Sequence, residues 1–260
     1  ILAVIDPQAH ELQPISRPRV LAGAMLAWAI GAVAAAAVCW SQRLIELLYL
    51  AGMRFAWPGW LVQVESGLVV VSMAGAAFLV RPHEGIGRRN MLAAVSAVAC
   101  YPMLVLTLGM FGAGVSGYLT GEGASVERAC WRLLAAGWMA LIILGLRPNL
   151  RVLAARSRVV RSGRVDRQSM LAMVGALGIA AVGDVIRIAT DPFGGVVDDA
   201  GALVHAFMVG VGSALFTLGL VGILRDVLRL LPVIVQPALG VGQVFDVGTP
   251  RAAGASAEAK

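Results

Sequence analysis

Four side chains lie where their chemistry is costly. Glu65, Asp184, Arg187 and His205 fall within long apolar stretches, where an ionisable group is retained only with a partner or a task. Asp184 and Arg187 are three residues apart, a spacing that brings them together on a helix and predicts an ion pair. With Glu65 they define a candidate polar pocket, suited to a ligand, an ion or a network tying helices together. His205 is the only histidine in an apolar stretch, since His10 and His83 sit in polar segments. Met208 and Gly212 follow at i+3 and i+7, on the same helical face. An imidazole with a small residue beside it is what an axial haem ligand needs. His205 is therefore the candidate metal ligand, and His205, Met208 and Gly212 are the candidate cofactor-binding residues, with haem as the cofactor. The lack of a second intramembrane histidine excludes a bis-His haem within one chain and leaves single-His or His/Met ligation.

Other chemistries fail on their residues. Cys39, Cys100 and Cys130 are too few and too scattered for a zinc or iron–sulfur site. Cys39 and Cys130 sit close enough to one side of the membrane for a disulfide to be an alternative to free thiols. The run His83-Glu84-Gly85-Ile86-Gly87-Arg88-Arg89 lacks both the preceding strand and the lysine of a phosphate loop. A retinal protein needs a lysine in a helix, and the only lysine is Lys260. Paired histidines of a membrane zinc protease are absent.

The elements that must position these residues are transmembrane helices. The chain is 59% hydrophobic and 14% charged, against about 45–50% and about 25% in an ordinary soluble domain. The apolar residues are gathered into six runs: Val20–Trp40, Trp60–Val80, Met91–Val115, Cys130–Leu146, Met170–Ile188 and Ala202–Leu224. A helix of about 20 residues crosses the roughly 30 Å hydrocarbon core. In lipid only a helix or a closed barrel satisfies its own backbone, and these runs lack the alternation of barrel strands. The expected fold is an all-α polytopic transmembrane bundle of about six helices plus an interfacial helix. That last element is read from Gln42–Gly59, where Leu44, Leu47, Leu48, Met53 and Phe55 alternate with Arg43, Glu46 and Arg54. Residues 1–19 form a cytoplasmic amino-terminal segment without the character of a cleavable signal. Residues 20–231 are the transmembrane domain. Residues 232–260 form a tail in which Pro232 and Pro237 end regular helix.

Arginine sets the orientation. Of the 20 arginines, 15 fall in the amino-terminal segment, the second and fourth connections and the tail. Only Arg43, Arg54, Arg128, Arg132 and Arg187 fall on the other side. The positive-inside rule places both termini in the cytoplasm of a bacterial inner membrane. The net charge of +6 thus reads as topology signal and anionic-lipid contact rather than nucleic-acid binding. Glu65, Asp184, Arg187 and His205 then share one depth, in the outer leaflet facing the periplasm. The expected partners are the lipid bilayer and, through Gly/Ala-rich faces such as Ala206-x3-Gly210-x3-Ala214, other membrane subunits.

The stretch Leu203-Val204-His205-Ala206-Phe207-Met208-Val209-Gly210-Val211-Gly212-Ser213-Ala214, followed by the basic turn Gly222-Ile223-Leu224-Arg225, resembles the histidine-containing helix of the NnrS family. Those are bacterial haem- and copper-associated membrane proteins linked to nitric oxide stress. The resemblance covers about 25 of the 260 residues. It implies a haem-binding inner-membrane protein with His205 as ligand. Two other functions fit the same residues. One is a small transporter or permease subunit whose path is lined by Glu65, Asp184 and Arg187. The other is an accessory subunit of a respiratory or photosynthetic complex. No residue pattern identifies an enzymatic reaction.

Overall fold

The computed structural model describes residues 18–50, 53, 59–80, 88–119, 125–160, 170–193 and 195–235. They form six α-helices: α1 (Pro18–Leu50), α2 (Trp60–Leu79), α3 (Arg88–Leu119), α4 (Ser125–Val160), α5 (Met170–Thr190) and α6 (Gly195–Val235). A single 3-10 turn, Asp191–Phe193, separates α5 from α6. All six helices are long and apolar enough to cross a membrane. There is no strand among the described residues. The chain is an all-α, polytopic transmembrane bundle.

Several helices outrun their apolar cores. α1 continues to Leu50, so the first half of the anticipated interfacial helix is an extension of the first span. Of residues 51–59, only Met53 and Gly59 are described. Leu48 carbonyl accepts a bond from the Met53 amide, which carries the helical pattern past its end. α4 begins at Ser125 and so takes Arg128 and Arg132 into the helix. α6 runs through Pro232 to Val235 rather than stopping at the proline. In the last turn a proline forfeits one hydrogen bond, a small loss there. Pro102 and Pro148 likewise lie inside α3 and α4, as transmembrane helices allow when neighbours support the backbone.

The helices form a closed ring. Each packs on the next in chain order, and α6 returns to α1. Contact is most extensive within three antiparallel hairpins: α1–α2, α3–α4 and α5–α6. The seams between hairpins are thinner. Lipid tails are as apolar as leucine, so helices gain little by hiding leucine from lipid. Tight van der Waals contact and polar bonds must hold them instead. Accordingly Leu92, Leu106, Leu203, Phe207 and Leu218 point outward, while the interior is rich in alanine.

Glycine zips the hairpins. A Cβ at Gly75 would lie 2.5 Å from the Trp28 backbone nitrogen and 2.6 Å from the Ala24 carbonyl oxygen. One at Gly31 would lie 2.8 Å from the Ser72 nitrogen, so α1 and α2 touch backbone to backbone at two levels. Gly145 performs the same role against Ala93 and Ala97, and Gly212 against Ala176 and Ala180. Gly183 and Gly219 add further contacts along α5–α6, and Gly201 receives the Thr190 side chain at its tip. Gly210, by contrast, meets nothing within 4 Å, so the Ala206/Gly210/Ala214 stripe is not the seam within this chain.

These contacts predict a sharp contrast within α2. Gly75→Ala forces two backbones apart and should cost about 1–3 kcal/mol, the range for overpacking. Gly67→Ala, with open space around it, should be neutral or stabilising through helix propensity. Thermal melts of both variants in the same detergent provide the comparison. Equal melting temperatures would show that α1 and α2 do not meet at Gly75.

Candidate functional site

The polar residues gather at the end of the ring where α1 and α5 finish and α2, α4 and α6 begin. Asp184 is 2% exposed and Arg132 is 6% exposed, so neither charge is solvated. Arg132 Nε donates to Asp184 Oδ1 at 2.8 Å, joining α4 to α5. A terminal nitrogen of the same guanidinium lies 3.0 Å from His205 Nε2. Arginine has no acceptor, so His205 Nε2 must accept, and the neutral ring carries its proton on Nδ1. Nδ1 in turn faces Asp184 Oδ1 at 3.5 Å. On the first hairpin, buried Gln42 donates from Nε2 to Glu65 Oε2 at 2.8 Å. Arg128 is buried one helical turn before Arg132. Among the described buried residues at this end, two carboxylates are thus matched by two guanidiniums, as burial requires.

Deeper in the ring, three neutral side chains form a directed cycle. Trp28 Nε1 donates to Tyr101 Oη at 2.9 Å, and Tyr101 Oη lies 3.2 Å from Ser72 Oγ. Ser72 Oγ is also 3.2 Å from the Trp28 carbonyl oxygen, to which it donates. Its single proton is therefore spent, and Tyr101 must be the donor to Ser72. The cycle begins and ends on Trp28 and joins α1 and α2 to α3.

Between these tiers lies a cavity of about 130 Å³, lined from all six helices. Alanine is the commonest residue in its wall, with Ala32, Ala35 and Ala36 from α1, Ala135 and Ala136 from α4 and Ala180 from α5. Met139, Ile142, Leu177 and Phe216 add bulkier apolar surface. Glu65, Arg132 and Asp184 line one part of it, and Ser72, Tyr101, Ser213 and Thr217 supply hydroxyls.

The residues singled out from sequence divide into two groups. Glu65 and Asp184 line the cavity, and His205 joins Asp184 through Arg132. Arg187 reaches carboxylates at the end of its own hairpin. It binds the Asp198 carboxylate at the start of α6 and reaches Asp191 at 3.4 Å, clasping the tip of the third hairpin. Asp184 faces inward and finds Arg132 across the seam, while the long Arg187 side chain extends toward the helix end, where acidic groups wait. Met208 and Gly212 lie in the α5–α6 seam, Met208 over Gly183 and Gly212 against the Ala176 carbonyl.

This arrangement does not fit a haem on His205. The Nε2 lone pair needed for iron is directed at a guanidinium, and the Gly212 face is closed by the α5 backbone. No group of three or more His, Cys, Asp or Glu suited to a metal occurs among the described residues. Cys39, Cys100 and Cys130 form no disulfide.

The sequence reading missed Arg132, Arg128, Gln42 and the Trp28–Ser72–Tyr101 cycle. The arginines were counted as topology signals, yet Arg132 lies within an apolar run at the same depth as Asp184, which was the available clue. The neutral residues carry no such signal, because tryptophan, serine and tyrosine are all ordinary in membrane helices. No family model, curated protein or solved structure matches the chain.

The buried pair predicts an asymmetric cost. Asp184→Asn strands a guanidinium that cannot lose its proton, and should destabilise by about 3–5 kcal/mol. Arg132→Met strands a carboxyl that can neutralise itself by binding a proton, and should cost less. The double variant Arg132→Met/Asp184→Leu should recover most of the loss. Unfolding in mixed micelles measures all three. Additive losses from Arg132 and Asp184 would dismiss the pair.

Proposed function

We propose that this membrane protein is a carrier for a small, mostly apolar molecule, which it holds in the cavity at the centre of its helical ring. The observation that carries the reading is the lining of that cavity. Every helix contributes to it, its wall is alanine-rich, and charged groups stand at one part only. Ligand sites are typically concave and apolar with a few placed polar groups, and transporter sites lie where moving bodies meet near mid-membrane.

The construction of the ring supports movement as well as binding. Each hairpin is zipped by backbone contacts at glycine and would move as one body. The seams between hairpins depend on fewer contacts, among them Arg132–Asp184 between the second and third hairpins and Trp28–Tyr101 between the first and second. Polar bonds of this kind exchange partners at lower cost than backbone contacts separate. In a bacterial inner membrane, the arginine distribution would turn the charged end toward the periplasm.

Filling the cavity tests the reading. Ala135 lines it and is 5% exposed, so Ala135→Trp should occupy the space with little loss of stability. Small molecules extracted from the purified parent should include one at near-stoichiometric amount that the variant lacks, as read by mass spectrometry. The same molecules at the same amounts in both proteins would refute ligand occupancy.

A further inference from the structure

The inner face of α6 carries a hydroxyl that the fold does not use. Ser213, Phe216, Thr217 and Leu220 all line the central cavity. At about 100° per residue these residues occupy a single arc of the helix, about 100° wide, with Ser213 near its middle. The opposite arc holds Val211, Leu215 and Leu218, which are exposed on the outside of the ring. Ser213 therefore faces the cavity, and its neighbour Gly212 is the residue that meets α5.

The protons of the hydroxyls in the cavity wall can be assigned in turn. Tyr101 gives its proton to Ser72, and Ser72 gives its own to the Trp28 carbonyl. Thr217 donates to the Ser213 carbonyl oxygen at 2.8 Å. Of the hydroxyls lining the cavity, Ser213 Oγ alone makes no hydrogen bond with a described residue. Elsewhere in these helices Ser41, Ser96, Thr107 and Thr190 turn back on the carbonyl four residues earlier. Ser213 leaves that local bond unmade and keeps its proton available at the wall.

We propose that Ser213 is the specificity-determining donor of the cavity, and that the ligand carries a carbonyl or ether oxygen on an otherwise apolar body. This assignment rests on the carrier reading above and specifies its substrate class. The acceptor must be neutral. Ser213 lies about 12 Å along α6 from His205, at about 1.5 Å per residue, so the charged end is two turns away. A lone hydroxyl in an apolar wall does not offset the desolvation of an anion, whereas it satisfies a carbonyl. Phe216 and Leu220 beside it supply apolar surface for the body of the ligand.

Acetophenone and α-methylstyrene test the assignment, because they match in shape and differ by a carbonyl oxygen against a methylene. Calorimetry measures the binding of each to the full chain in detergent, for the parent, Ser213→Ala and Thr217→Val. Comparing the ratio of the two affinities between proteins cancels the unequal partitioning of the probes into detergent. Ser213→Ala should fold, since it removes no bond within the described protein, leaves the carbonyl that Thr217 uses, and raises helix propensity. The acetophenone-to-methylstyrene ratio should fall about threefold to tenfold in Ser213→Ala, the worth of one hydrogen bond. α-Methylstyrene itself should bind that variant as it binds the parent. In Thr217→Val the ratio should hold, because the lost proton was already committed to the backbone. A ratio unchanged in Ser213→Ala, with both probes bound to the parent, would overturn the donor role and leave the carrier reading standing. An equal fall in both variants would also overturn it, since general polarity rather than a directed proton would then set the ratio. Failure of both probes to bind the parent would overturn the carrier reading and the donor role with it.

Discussion

A guanidinium in the interior of a membrane protein cannot shed its proton, and everything at the charged end of this ring follows from that. Arg132 must find an anion, and Asp184 across the seam provides it at 2.8 Å. The pair fixes the depth of α4 relative to α5. It also fixes the His205 tautomer, since a guanidinium can only donate to the imidazole. The same demand explains why the charged end is balanced, with Glu65 and Asp184 set against Arg128 and Arg132 in buried positions.

The ring separates two kinds of adhesion. Within hairpins, Gly31, Gly75, Gly145 and Gly212 bring backbones together at distances that no side chain tolerates. Between hairpins, Trp28, Tyr101, Arg132 and Asp184 supply polar bonds. Alanine then faces the centre, where it is too small to fill the space that six helices enclose. A ring of this size must either carry large interior side chains or leave room. This chain leaves room, and the space is bordered by groups able to recognise a ligand.

Much of the architecture was legible because lipid imposes a simple rule on sequence. Six apolar runs gave six helices, and of the residues singled out the structure sets Asp184 and His205 side by side. What the runs did not reveal was which residues meet. Spacing offered Arg187 to Asp184, but it could not offer Arg132 from α4 or Asp198 from α6, because those contacts are set by the neighbouring helices. The glycines show the same limit. Gly212 and Gly219 are seam residues, whereas Gly109, Gly175, Gly178, Gly210 and Gly222 face open space, and sequence treats them alike. His205, read as a ligand from the small residues on its face, lies 3.0 Å from the Arg132 guanidinium, and Gly212 on that face meets the α5 backbone, contacts that spacing could not foretell.

The central claim is that the ring encloses real, apolar, ligand-sized space. Apolar cavities of this order take up benzene and are stabilised by it. The most direct measurement is the melting temperature of the detergent-solubilised parent and of Ala135→Trp, each with and without saturating benzene. Effects of benzene on the micelle act on both proteins, so the difference reports the cavity. The account predicts that benzene raises the melting temperature of the parent relative to its effect on the filled variant. An identical response in the two proteins would contradict it.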